Sequence, residues 1–198
     1  MKTLVLAFTL TLAASAAWSQ PMPAPRAGQS GNQAATVSPA TQDFVSKVAV
    51  SDMFEIESSK MAQQKTRNSS IADFAKMMVS DHGKTSRQLM SLTGGLKGVE
   101  VPKAMDAEHK QKLDQLKKAA ANQFDAQYKA AQIEGHEKAV ALFESYSQSG
   151  DAAEIKKFAQ DTLPKLREHL QHAQQLQTDP ASTVGSGAGR PKQEPQRR

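Results

Sequence analysis

The stretch Phe74-Ala75-Lys76-Met77-Met78-Val79-Ser80-Asp81-His82 decides the fold. Around it, Ile71, Phe74, Ala75, Met78, His82, Thr85, Leu89 and Leu92 recur at i, i+3, i+4, i+7 spacing, which predicts one face of a helix ending near Thr93. Asn68-Ser69-Ser70 offers a turn and N-caps before it, with Asp73 in capping-box spacing from Ser70, and Gly94-Gly95 ends it. His82 lies inside the apolar series and Asp81 at its flank. A polar ring on a core-facing stripe has to be explained by what it meets there.

Three other stretches repeat this pattern. Upstream, Phe44, Val45, Val48, Ile56 and Ala62 fall on one broad face of a helix predicted over 41–66. Glu55 is seven residues after Val48 and seven before Ala62, so it shares that stripe. Glu57 lies about 200° round the helix with Met53 and Met61, and periodicity alone leaves the choice between the two glutamates open. Downstream, 105–118 reads as a short helix with Leu113 and Leu116. A long helix over 122–149 follows, with Phe124, Tyr128, Ile133, His136, Val140, Phe143 and Tyr146 inward. The last helix, over 152–177, carries Ile155, Phe158, Ala159, Thr162, Leu166, His169, Leu170, Ala173 and Leu176. Pro164 inside it removes a backbone donor and predicts a kink or bulge.

The connections give the topology. Tight turns join the first two and the last two helices, so each pair is antiparallel. About 28 residues separate the pairs, enough to cross a bundle. No strand-like alternation appears. The fold class is therefore all-α: a ferritin-like up-down four-helix bundle with a short crossover helix between helices two and three.

Both ends differ from this domain. Met1-Lys2-Thr3 is followed by an apolar run from Leu4 to Ala17, and Ala17-Trp18-Ser19 places small residues before Gln20. This is the pattern of a secretory signal peptide over 1–19, cleaved after Ser19 with Ala16 as the second choice. The run is shorter than the roughly 20 residues a spanning helix needs. Residues 20–40, with Pro21, Pro23, Pro25 and Pro39 among Gly, Gln and Ser, read as a disordered linker. The bundle domain occupies 41–177. From 178 to 198 follows a disordered basic tail, with Arg190, Lys192, Arg197 and Arg198 against Glu194. The expected address is export, to the periplasm in a bacterium with two membranes.

Composition narrows the chemistry. The chain has no cysteine, which excludes disulfides, thiolate ligands and a lipoprotein anchor. Its net charge of +5 is spread through mixed-sign helices, without aromatic-basic interleaving, so nucleic acid is not an expected partner. The basic tail allows a weak electrostatic contact with the envelope. No nucleophile-base pair suggests hydrolysis.

One polar residue per main helix points inward: Glu55, His82, His136 and His169. Counted from their turns, Glu55 and His82 come level, whereas His136 and His169 are offset by about four residues, roughly 6 Å. If that offset keeps them apart they do not converge at all; if they meet, two readings follow. Either the four form a metal-free buried layer, held by hydrogen bonds, or they bind a single Zn, Fe, Mn or Cu ion, with Asp81 and Glu134 orienting the imidazoles. Asp106-Ala107-Glu108-His109 opens the short helix and reads as surface or capping.

The residues carrying these patterns are Phe44, Phe54-Glu55-Ile56-Glu57-Ser58-Ser59-Lys60-Met61-Ala62, Phe74-Ala75, Met78-Val79-Ser80-Asp81-His82, Phe124-Asp125, Tyr128, His136, Leu163-Pro164, Leu166 and His169-Leu170. In that order they resemble the bacterial domain-of-unknown-function family 4142, over about 40–177. The resemblance implies a ferritin-like bundle exported to the envelope, and it favours Glu55 over Glu57. A standard di-iron site needs Glu-x-x-His on two helices. Here Val79 stands three before His82 and Leu166 three before His169, against that site. The functional expectation is a non-enzymatic envelope module for binding or stress protection. The alternative is a mononuclear metal-binding or redox protein.

Overall fold

The structure, a computed structural model, describes residues 37–178. The expected signal peptide, nearly all of the linker and residues 179–198 of the tail lie outside the described residues. Those residues form five helices and no strand: α1 (Pro39–Lys65), α2 (Ser69–Thr93), α3 (Ala107–Lys118), α4 (Ala121–Ser149) and α5 (Ala153–Gln175). None is long and apolar enough to cross a membrane.

Local chemistry sets the boundaries. Ser38 accepts a bond from the Thr41 N–H and Pro39 occupies the first turn, so α1 starts two residues before the predicted position. At α2 the cap is Asn68, which accepts from Ser70 and Ile71 in place of the expected capping box on Ser70. Asp106 caps α3 through the His109 N–H, as its motif suggested. α5 runs unbroken through Pro164. The carbonyl that Pro164 leaves free belongs to exposed Gln160, where water can satisfy it.

α1 packs on α2 and α4, α5 on α4 and α2, and α3 on α1 and α4. Side-chain pairs give the directions. Thr41 bonds Tyr146 at one end of the α1–α4 pair, and Ser59 bonds Tyr128 at the other. α1 and α4 are therefore antiparallel. So are α2 and α5, since Asn68 reaches the Gln177 carbonyl while Asp81 meets His169. The segment between α2 and α4 runs the length of α1. Gln42 holds it at Glu100, and Lys65 reaches the carbonyls of Leu116, Lys117 and Ala119.

The core comes in two blocks. Phe44, Val45, Leu89, Phe143, Ile155 and Phe158 belong to one, and Phe54, Ile71, Phe74, Met78, Phe124 and Tyr128 to the other. Every main helix contributes to both. Between its two contributions each helix carries buried polar residues: Asp52 and Glu55 on α1, His82 on α2, Gln132 and His136 on α4, His169 on α5.

Candidate metal centre

The three imidazoles meet in this polar layer. Their ring centroids stand 5.5, 5.6 and 5.4 Å apart for the pairs His82–His136, His82–His169 and His136–His169. One nitrogen of each ring lies within 4.8 Å of the other two. The four-residue offset between His136 and His169 does not separate them. Helical side chains lean about one position toward the N-terminus. In an antiparallel pair that lean carries His136 away from the shared turn and His169 toward it, and so brings them together.

Each ring is held from outside by its other nitrogen. His82 Nδ1 lies 2.8 Å from Asp52 Oδ1. His136 Nδ1 donates to the Gln132 carbonyl at 2.8 Å, and His169 Nε2 stands 3.3 Å from Asp81 Oδ2. The nitrogens left without a protein partner are His82 Nε2, His136 Nε2 and His169 Nδ1, all buried. Partnerless buried nitrogens are costly, and histidines anchored by carboxylates or carbonyls at the opposite nitrogen are the usual arrangement around a metal.

Glu55 is buried beside them, 4.0 Å from His136 Nδ1 through Oε1, and its Oε2 has no partner. Glu55 feels the charge of His82, while Asp52, three residues before it, bonds that ring, and Ser86 donates to the second Asp52 oxygen. Across from Glu55 is Gly135, where a Cβ would come within 2.7 Å of Oε1; a side chain there would displace the carboxylate.

The protonation pattern leaves two of the three rings neutral and ready for a cation. Burial, reinforced by the charge of His82, holds His136 down to about 3. The same two causes hold His169 down to about 4, against the pull of Asp81. Both rings are neutral at pH 7, with lone pairs free. Burial also depresses His82, but the hydrogen bond and charge of Asp52 outweigh it and raise that ring above its ordinary value. Asp52 is raised by burial against the pull of His82. Burial pushes Glu55 up to about 7, with His82 opposing.

Of the residues expected to orient the rings, Asp81 does so, though on His169 and not on its neighbour His82. Glu134 does not reach a ring. It is exposed and paired with Lys112 and Lys138, because two residues along a helix turn it about 200° away from His136. Asp52 and the Gln132 carbonyl went unread. Asp52 was accessible to periodicity, being four residues after Val48 and three before Glu55.

The profile of a family described as a domain of unknown function (DUF4142) matches residues 26–176. The chain belongs to DUF4142. No curated protein matches this DUF4142 chain. Among solved structures, a DUF305 fragment from Deinococcus radiodurans superposes with a TM-score of 0.62 at 14% identity, covering 71% of this chain and 96% of that one. CopM in its Cu(II)-bound form superposes with a TM-score of 0.58 at 19% identity, covering 68% and 93%. At these identities the likeness is one of fold.

Proposed function

We propose that this DUF4142 protein is a non-enzymatic, exported metal-binding protein that holds one divalent transition-metal ion on His82, His136 and His169. Glu55 is the adjacent carboxylate, available as a fourth donor. The observation that carries this reading is the set of three partnerless ring nitrogens. One nitrogen of each ring stands within 4.8 Å of the other two, and each ring is anchored through a hydrogen bond to Asp52, the Gln132 carbonyl or Asp81. No protein group in the layer bonds these nitrogens, whereas one ion would engage all three.

The donor set fits the ion. Three imidazoles and a carboxylate, without thiolate, suit Cu(II) or Zn(II), and nitrogen donors favour copper in the usual affinity order. The likeness of fold to CopM in its Cu(II)-bound form supports copper as the first candidate. Around a metal with bonds near 2.1 Å, ligand nitrogens stand roughly 3.4 Å apart. From 4.8 Å at most, the rings close by less than about 1 Å each.

We read the arrangement of two antiparallel pairs joined by a connection along the bundle as ferritin-like. With Val79 and Leu166 in place of the glutamates of a di-iron site, it serves one metal and not two. The apolar run at Leu4–Ala17 supports export to the periplasm, and cell fractionation tests that part; protein retained in the cytoplasm refutes it.

Metal titration of chelator-stripped protein tests the site. One equivalent of Cu(II) or Zn(II) is expected to bind, and none in the His82→Ala/His136→Ala double variant. A wild-type protein that takes up no stoichiometric ion, or a double variant that binds as well as wild type, refutes the assignment.

A further inference from the structure

Between α1 and α4, beneath α3, lies a cavity of about 660 Å³. Exposed Glu108 and Lys138 stand at its edge, and His109 of α3 borders it from above. Glu55 and His82 border it from below, so the cavity joins the surface to the polar layer. Phe54 and Ala139 are among the apolar groups of its wall.

We propose that this cavity is the route by which a metal ion reaches the three histidines, with His109 as the receiving ligand and Glu55 as the carboxylate that passes the ion inward. The inference rests on the metal-binding reading above. Three independent features support it. Glu55 borders the cavity, is 1% exposed, and has an oxygen without any partner. Gly135 on the facing helix keeps the space that this carboxylate occupies. His109 is built as a ligand: Nδ1 lies 2.8 Å from Asp106 Oδ1, the ring stands edge-on to Phe54 at 5.7 Å, and Nε2 is left as its other donor.

Electrostatics at the mouth permits a cation to approach. Lys112 and Lys138, the positive charges beside His109, are each paired with both Glu108 and Glu134. Imidazole, carboxylate and imidazole then succeed one another along the path. An ion can exchange donors one at a time, without shedding all its ligands in an apolar passage.

A route alters the rate of exchange and leaves the end states unchanged. The test is stopped-flow transfer of Cu(II) from a chromogenic chelator to the full-length protein, alongside equilibrium competition with the same chelator. Two variants are used. His109→Phe keeps the contact with Phe54 and removes the donor. Ala139→Phe fills the cavity at its wall, and circular dichroism checks that it folds. Both are expected to slow uptake and release by about tenfold or more at unchanged affinity. Wild-type rates in a folded Ala139→Phe and in His109→Phe, with wild-type affinity, overturn the route and leave the metal site standing. A wild-type protein that binds no Cu(II) at equilibrium removes both.

Discussion

Replacing His136 by leucine separates a metal site from a structural histidine. In the metal-free protein His136 makes one hydrogen bond, Nδ1 to the Gln132 carbonyl, and leaves Nε2 buried and unpartnered. Losing the bond costs about 1 kcal/mol, and the backbone carbonyl keeps its helical partner. Removing the partnerless nitrogen returns about 1–3 kcal/mol. A leucine of similar size leaves little void. The metal-free variant is therefore expected to be as stable as wild type or more so, by up to about 2 kcal/mol. With metal the order reverses. At a free concentration 100 times Kd, wild type gains about 2.7 kcal/mol. In a domain of this size that is a rise of roughly 5–11 °C in Tm. The variant has two of the three imidazoles and should show little rise. Thermal unfolding in chelator and in Cu(II) reads all four values. A variant more than about 2 kcal/mol less stable in chelator, with a wild type that ignores the metal, would show His136 to be structural and the reasoning wrong.

Asp52→Asn keeps the size of the group that holds His82 but removes its charge; metal affinity is expected to fall about 10–100-fold by chelator competition, and an unchanged value refutes the anchoring role. Tyr128→Phe strands the Ser59 hydroxyl in the core and should cost about 1–2 kcal/mol in urea unfolding, without touching metal affinity. Stability of the metal-free protein is expected to rise from pH 4 to about pH 6.5, because two histidines outweigh one glutamate over that range. Folded-state values of about 3 and 4 for His136 and His169, against an ordinary 6.5, mean stability that is complete above pH 6.5 and lost as pH falls toward those values. Glu55 acts oppositely: with a folded value of about 7 against an ordinary 4.5, its contribution is complete below 4.5 and lost as pH rises through 7. Denaturant midpoints at pH 4, 5 and 6 in chelator check this; a midpoint that falls across that range contradicts it.

Much of this molecule was legible in its residues because the helices are well punctuated. Asn68, Gly94 and Asp106 mark ends that the structure uses, and the inward positions of His82, His136 and His169 follow from spacing alone. Partners across helices were harder. Spacing puts Asp81 at the flank of its stripe without saying which ring it meets; one residue along a helix is a 100° turn, which aims it at His169 on α5. Asp52 was passed over because α1 is buried on a broad front that includes Thr41, Asp52, Ser58 and Ser59, so polarity there does not mark the outside. The role of the Gln132 carbonyl lies in the backbone and leaves no trace in residue type.

The polar layer also divides the labour of folding. Each of the four long helices has one half in the Phe44–Phe143–Phe158 block and the other in the Phe74–Phe124–Tyr128 block, with Asp52, Glu55, Gln132 and the three imidazoles buried between. Apolar cohesion is interrupted at that level. We expect the halves to open as separate units in the metal-free protein, and an ion shared by α2, α4 and α5 to join them. Amide exchange would then show the ends opening separately in chelator and as one body with metal bound.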